Sequence, residues 1–383
     1  MSAIGPELIS SDGALERAAN RLASAESLAF DTESASFHRY VDRVYLVQIS
    51  SSSETVLVDP LAVSGMAPVG RLLEDPDIEA VFHDADYDLR TLDRDYGFRA
   101  TRLFDTRVAA QLANEDGIGL AALLERHFGV TLNKKYQRAD WSLRPLTNEM
   151  IAYAASDTMY LIRLKNALTE KLENLGRYGW AAEEFARLEH VRWTASVDDE
   201  AFLRIKGARV LEPRQRAVLR ELHQWRDRTA RALDRTPFRV VTNDVLLAIA
   251  KASPSEAAQL SSFRGFPRSG GARGWIPEIL AAVRRGTDLP AEQLPQTKKK
   301  QRPQRDPAYE QRLDQLKELR NRRAAETGIY PGLLCPNGTL QAIAHASANG
   351  QAALAELPEL RMWQREVLGD DELAAATSLP SKP

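Results

Sequence analysis

The sequence predicts an α/β layered domain followed by two small all-α helical bundles. Three observations point to this. Strand-like apolar runs at Leu28 to Glu33, Val44 to Ser50 and Thr55 to Asp59 follow one another across short polar connections, the pattern of an antiparallel meander. Helical segments and further short strands, near Val81 and Phe104, come next. The C-terminal half then repeats itself at a spacing of 94 positions, the distance from Pro237 to Pro331. At that spacing the Ala-Ile-Ala segments beginning at Ala248 and Ala342 align, Asn243 matches Asn337, and Leu219, Leu222 and Arg226 match Leu313, Leu316 and Arg320. Each copy has helical periodicity broken by Pro and Asn, which suits a small bundle.

The expected division is 1–205 for the α/β domain, 212–287 for the first helical unit, 288–307 for a Pro- and Gln-rich linker, and 308–383 for the second helical unit. A chain of 383 residues exceeds one core, and its 44% hydrophobic and 27% charged content is ordinary for a globular protein. The lone Cys335 excludes a disulfide framework and a cysteine-based zinc site, so metal chemistry must rest on oxygen ligands. Residues Met1 to Gly13 lack a basic start and an apolar core, and no apolar stretch is long enough to span a bilayer, so a cytoplasmic location is expected.

The chemistry is carried by acids. Asp31 and Glu33 stand two apart at the end of a strand, so both point to one face. Two free anions there would repel, whereas a divalent cation would hold them together. Downstream, Asp84 to Tyr96 reads as a helix opened by an Asp cap and closed by Gly97. Leu89, Leu92 and Tyr96 form its buried stripe, and Asp88 lies at the stripe's edge. Asp88 is either a boundary carboxylate paired with a neighbouring Arg or a third metal ligand. In the helical run from Glu149 to Leu161, Tyr153 and Asp157 are four apart and share a face, with Ile151, Ala154, Ala155, Met159 and Leu161 supplying the packing surface around them. An Asp in so apolar a helix needs a partner to stay charged. Asp105 is expected to cap the helix over Val108 to Leu112.

These motifs resemble the DEDD superfamily of 3′→5′ exonucleases, in the branch with Tyr in its third motif, and within it the ribonuclease D family. The matching segments are Phe30 to Glu33, His83 to Leu89, and Tyr153 to Asp157. Between the last two, the run from Lys134 to Leu146 is similar to the family's Lys, Gln, Asp-Trp and Arg-Pro-Leu segment, with Ala139 where a Ser is common. The first helical unit resembles the helicase-and-ribonuclease-D C-terminal (HRDC) domain through Arg226 to Arg228, Pro237 and Leu260 to Phe266. The second resembles it more faintly, keeping Pro331 but carrying Leu357-Pro358-Glu359-Leu360 in place of the Gly-Phe segment. The resemblance implies a ribonuclease-H-like exonuclease domain, and an RNA substrate with a free 3′ end, precursor transfer RNA above all. It implies no membrane and no obligate protein partner.

On this reading Asp31, Glu33, Asp88 and Asp157 hold two Mg²⁺ or Mn²⁺ ions about 4 Å apart for hydrolysis of the terminal phosphodiester, releasing 5′ mononucleotides. Tyr153 completes the catalytic set by orienting the attacking water, since a phenol of pKa near 10 is a poor base at neutral pH. Two alternatives stay open: a DNA-directed 3′→5′ exonuclease using the same acids, and a non-catalytic RNA-binding scaffold. Net charge is −2, so any grip on a polyanion must come from local basic surfaces. One candidate is the row Arg214, Arg216, Arg220, Arg226, Arg228, Arg231, Arg235 and Arg239, which reads equally as a phosphate-contacting face or as a solvated face balanced by Glu221, Asp227 and Asp234. Another is Lys298-Lys299-Lys300 with Arg302 and Arg305, expected to serve linker solubility.

Overall fold

The computed structural model describes residues 5–195, 198–266, 272–296, 306–346, 357 and 360–377. The lysine cluster at Lys298 with Arg302 and Arg305 lies outside the described residues, as does part of the Leu357 to Leu360 segment.

The α/β domain is built on one six-stranded mixed sheet in the order β1-β4-β3-β2-β5-β6. Its strands are β1 (Glu7–Ile9), β2 (Ser27–Ser34), β3 (Val44–Ser50), β4 (Thr55–Val58), β5 (Glu79–Phe82) and β6 (Leu103–Asp105). The meander β2-β3-β4 is antiparallel, while β5 joins β2 and β6 joins β5 in parallel. All seven residues of β3 are buried, the signature of a strand flanked on both edges and covered on both faces. β1, which the sequence pattern did not suggest, adds to β4 in parallel.

Around the sheet lie α1 (Asp12–Leu22), α2 (Ala67–Leu73), α3 (Asp86–Tyr96), α4 (Thr106–Leu112), α5 (Leu120–Phe128), α6 (Asn148–Thr158), α7 (Leu161–Asn174) and α8 (Tyr178–Leu188). The expected continuous helix to Leu161 is broken after Thr158. Met159, expected to pack, is instead exposed at that corner. α3 closes as expected on Gly97 at φ 73°, a left-handed position that costs a glycine nothing. Its start differs from expectation. Asp84 does not cap it; the Asp105 carboxylate accepts the backbone N–H groups of Asp84 and Ala85 at 3.2 and 2.8 Å. The same carboxylate caps α4 through Arg107 and Val108.

The helical repeat is visible residue by residue. Helix Pro213–Ala232 corresponds to Pro307–Thr327, Pro237–Val240 to Pro331–Leu334, and Asn243–Ala252 to Asn337–Ala346. In the first unit Arg226 Nη1 donates to the Val241 carbonyl at 3.0 Å and to Asn243 Oδ1 at 2.8 Å. In the second, Arg320 Nη1 donates to the Cys335 carbonyl at 3.2 Å and to Asn337 Oδ1 at 2.8 Å. The duplicated Arg and Asn therefore form an internal clamp that fixes where the third helix begins.

This divides the arginine row. Arg216 and Arg226 are buried and Arg231 donates to Tyr40 Oη, so the row is not one uniform face. The expected linker is also tied down over its first residues: Arg214 donates to the Leu289 carbonyl, and Arg216 to that of Pro295 at 3.2 Å.

The two units meet the α/β domain differently. The first has its own hydrophobic cluster and touches the β2–β3 loop mainly through polar groups. Tyr40 Oη donates to Asp227 at 2.9 Å, Arg39 pairs with Asp234 at 3.4 Å, and Thr236 Oγ1 donates to the Phe37 carbonyl at 3.1 Å. The buried residues of the second unit run into the core cluster of the α/β domain itself. Trp363 stacks on Trp180 with ring centroids 5.5 Å apart, and the Glu183 carboxylate accepts the N–H groups of Met362 and Trp363 at 2.8 and 3.0 Å. Among the described residues, no helix is long and apolar enough to cross a membrane.

Candidate active site

The site forms where β2 passes under α6. Asp31 and Glu33 share one face of β2, in register with Gln48 and Leu46 of β3. α6 packs across β2, β3 and β4 on small residues, Ala154 and Ala155, and its Thr147 cap fixes its start by accepting the Met150 N–H at 3.2 Å. Tyr153 and Asp157 lie one turn apart on this helix, close enough for each to perturb the other. Among the described residues, one carboxylate oxygen from each of Asp31, Glu33 and Asp157 lies within 4.8 Å of the others.

Asp88 arrives from the first turn of α3 and is held beside this trio. Its Oδ1 accepts from Thr32 Oγ1 at 2.5 Å, so the residue between the two β2 acids anchors the acid from the neighbouring helix. The position of α3 depends in turn on Asp105, through the two N–H groups described above. The pairing of Asp88 with a neighbouring Arg, left open by the sequence, is not what holds it.

Four carboxyls this close, Asp88 buried and the other three half-buried, cannot all be ionised alone. Burial, with Asp88, Asp157 and Glu33 nearby, holds Asp31 well above the usual carboxylate range. Glu33 is raised in the same way by burial and by Asp157 and Asp88. Burial lifts Asp88 to about 7 despite its bonds to Thr32, and lifts Asp157 to about 7 despite the nearby Tyr153 hydroxyl. The Tyr153 phenol is pushed well above its ordinary value by burial, then by Asp157, Glu33 and Asp31, so at neutral pH it is a hydroxyl donor. The donors are all hard oxygens, and the missing element is positive charge. That combination fits Mg²⁺ or Mn²⁺ better than a softer metal.

A cavity of about 400 Å³ opens beside the trio, lined by His83, Asp84, Arg107, Lys134, Gln137, Tyr153 and Asp157 among others. Burial, then Arg107, lowers His83 to about 4, so it is neutral, and its Nδ1 lies 2.9 Å from Thr106 Oγ1. The segment carrying Lys134 and Gln137 is pinned at its far end by Arg144, whose Nε and Nη2 bind Asp59 at 2.5 and 2.7 Å. Trp141 is buried with its ring centroid 6.0 Å from that of Tyr153. Sequence reasoning singled out neither Arg107, on the cavity wall, nor Gln48, in register with Asp31. Arg107 had no pattern to mark it, but Gln48 was detectable as the one amide in an otherwise apolar strand run.

A family model described as 3′-5′ exonuclease matches residues 6–173, and one described as HRDC domain matches 215–283 and 310–375. With the carboxylate cluster, this defines a metal-dependent 3′→5′ exonuclease followed by two HRDC domains. Ribonuclease D of Gluconacetobacter diazotrophicus is 33% identical over 372 residues, 96% of this chain and 92% of that protein. The chain belongs to the ribonuclease D family and is a metal-dependent exoribonuclease with RNA as its substrate. Among solved structures, it is similar to Escherichia coli RNase D, described as an exoribonuclease involved in structured RNA processing, with TM-score 0.69 and 27% identity over 97% of this chain and 98% of that one. A protein from Bifidobacterium adolescentis superposes with TM-score 0.84 at 26% identity, covering 97% of both chains.

Proposed function

We propose that Asp31, Glu33, Asp88 and Asp157 hold two divalent cations, Mg²⁺ or Mn²⁺, and that the enzyme removes extra 3′ nucleotides from precursor transfer RNA one at a time. The division of labour runs along the domains 1–205, 212–287 and 308–383, with hydrolysis confined to the first. The observation that carries the reading is the set of three half-buried carboxylates with oxygens within 4.8 Å of one another, with the buried Asp88 held beside them. The precursor substrate is favoured by the description of the E. coli neighbour as acting on structured RNA.

When bound, the cations supply Lewis-acid activation of water and stabilise the charge that develops on the leaving 3′ oxygen. The chain's own groups do the rest. Packing against Tyr136 and Trp141 holds the Tyr153 ring beside Asp157. Because that phenol keeps its proton at neutral pH, it orients the attacking water and does not deprotonate it. Lys134 brings positive charge to the wall of the adjoining cavity, where the terminal nucleotide's phosphate would lie and where Arg107 is paired with Asp84 at 2.6 Å, and neutral His83 and Gln137 offer hydrogen bonds to the nucleotide.

The test is at Tyr153. Tyr153→Phe should lower the single-turnover rate by up to about 10²-fold, because the nucleophile is no longer held in line. RNA affinity should stay within twofold or so, since the ring remains. An unchanged single-turnover rate would remove the hydroxyl from the chemistry.

A further inference from the structure

Gln48 lies in the middle of β3 with 0% of its surface exposed, and neither its Nε2 nor its Oε1 has a hydrogen-bond partner. Leaving a buried amide unmet costs roughly 1–3 kcal/mol per group, so native structures seldom keep one without use. Its neighbour along the strand face, Ser50, is fully served by Thr55 at 2.8 Å and Thr158 at 2.7 Å. The surroundings of Gln48 otherwise suit an aliphatic side chain. It is in register with Leu57 on β4, and that side of the sheet buries Leu46, Leu57, Trp141, Ala154 and Ala155 in one cluster, where the Trp141 Nε1 is likewise unmet. Packing alone therefore does not account for the amide.

On its other side Gln48 is in register with Asp31. Directly opposed residues share a face, with Cβ atoms about 4.5–5.5 Å apart. The unmet amide thus stands next to the carboxylate at the centre of the acidic cluster, under the cover of α6. An ionised carboxylate can accept several hydrogen bonds and donate none, whereas an amide N–H can only donate.

We propose that Gln48 is a positioning residue for the metal site, its Nε2 donating to the Asp31 carboxylate across the strand pair when the site is loaded, which fixes the plane of that carboxylate. The inference rests on Asp31 being a metal ligand, as proposed above. Partners of this kind typically contribute 10–100-fold to metal affinity or activity.

The experiment uses the full-length protein stripped of metal and titrated with Mn²⁺ alone, following free Mn²⁺ by electron paramagnetic resonance. Gln48→Leu and Gln48→Met keep volume and remove the amide. Each should weaken Mn²⁺ binding by about 10-fold or more. Each should also lower kcat with the KM for RNA unchanged, and leave the metal-free melting temperature equal to or above that of the wild type, because no unpartnered amide is then buried. Unchanged Mn²⁺ affinity would overturn the proposal. So would a clear fall in metal-free melting temperature in both variants, which would mark the amide as a structural group. Asp31→Asn is titrated in parallel. If it weakens Mn²⁺ binding and the Gln48 variants do not, this inference alone fails; if it too leaves Mn²⁺ binding unchanged, the assignment of Asp31 as a ligand fails with it.

Discussion

Asp31→Ala is expected to reduce metal-dependent hydrolysis by at least about 10²–10³-fold, the loss seen when one preorganised electrostatic contact to a transition state is removed. Asp31 is the acid most surrounded by others, with Glu33, Asp88 and Asp157 all raising its proton affinity. On the proposed assignment, cation binding then loses one of its oxygen ligands. The metal-free variant should be no less stable than the wild type, because a half-buried carboxyl that its neighbours repel has been deleted. Hydrolysis rates at saturating Mg²⁺, together with melting curves in EDTA, separate the two effects. Activity within tenfold of wild type would count against Asp31 as a ligand.

The second large effect falls on stability. Trp363→Ala should cost about 3–5 kcal/mol, the usual loss when a large buried aromatic is truncated. Trp363 is 2% exposed, stacks on Trp180, and donates from Nε1 to Glu184 at 2.8 Å. The second HRDC domain shares its core cluster with the nuclease, so the loss should be felt by both and lower the urea midpoint of nuclease activity. The contact of the first HRDC domain through Tyr40 is a part-buried hydrogen-bonded one, and Tyr40→Phe should cost only about 1 kcal/mol. A Trp363→Ala loss below that of Tyr40→Phe would mean that the second domain does not support the nuclease.

Much of this was legible in the sequence because it is written in local patterns. The meander was readable because β2, β3 and β4 are apolar runs with short polar connections. Asp31 with Glu33 and Tyr153 with Asp157 follow strand and helix spacing, which is why their shared faces could be read before any fold was known. The short β1 was not legible: three residues with no alternation become a strand only by joining β4.

Non-local hydrogen bonds were equally invisible. That Thr32 would hold Asp88, and that Asp105 would receive the N–H groups of Asp84 and Ala85 just before α3, depends on residues 20 or more positions apart being brought together. Arg226 looked like one of a row of surface cations. Its match with Arg320 in the repeat was the available hint that it serves the bundle's interior, since a phosphate contact need not be duplicated together with its Asn partner. The contrast between the polar docking of one HRDC domain and the aromatic docking of the other had no sequence signal, because Trp180 and Trp363 meet only in the folded chain.

The most direct measurement is a time course on precursor transfer RNA carrying a short 3′ extension and a 5′ label, with Mg²⁺ and then with excess EDTA. The expected result is shortening by single nucleotides from the 3′ end with release of 5′ mononucleotides, abolished by EDTA. Products that persist in EDTA, or that begin at the 5′ end, would contradict metal-dependent 3′→5′ hydrolysis at the Asp31, Glu33, Asp88 and Asp157 cluster.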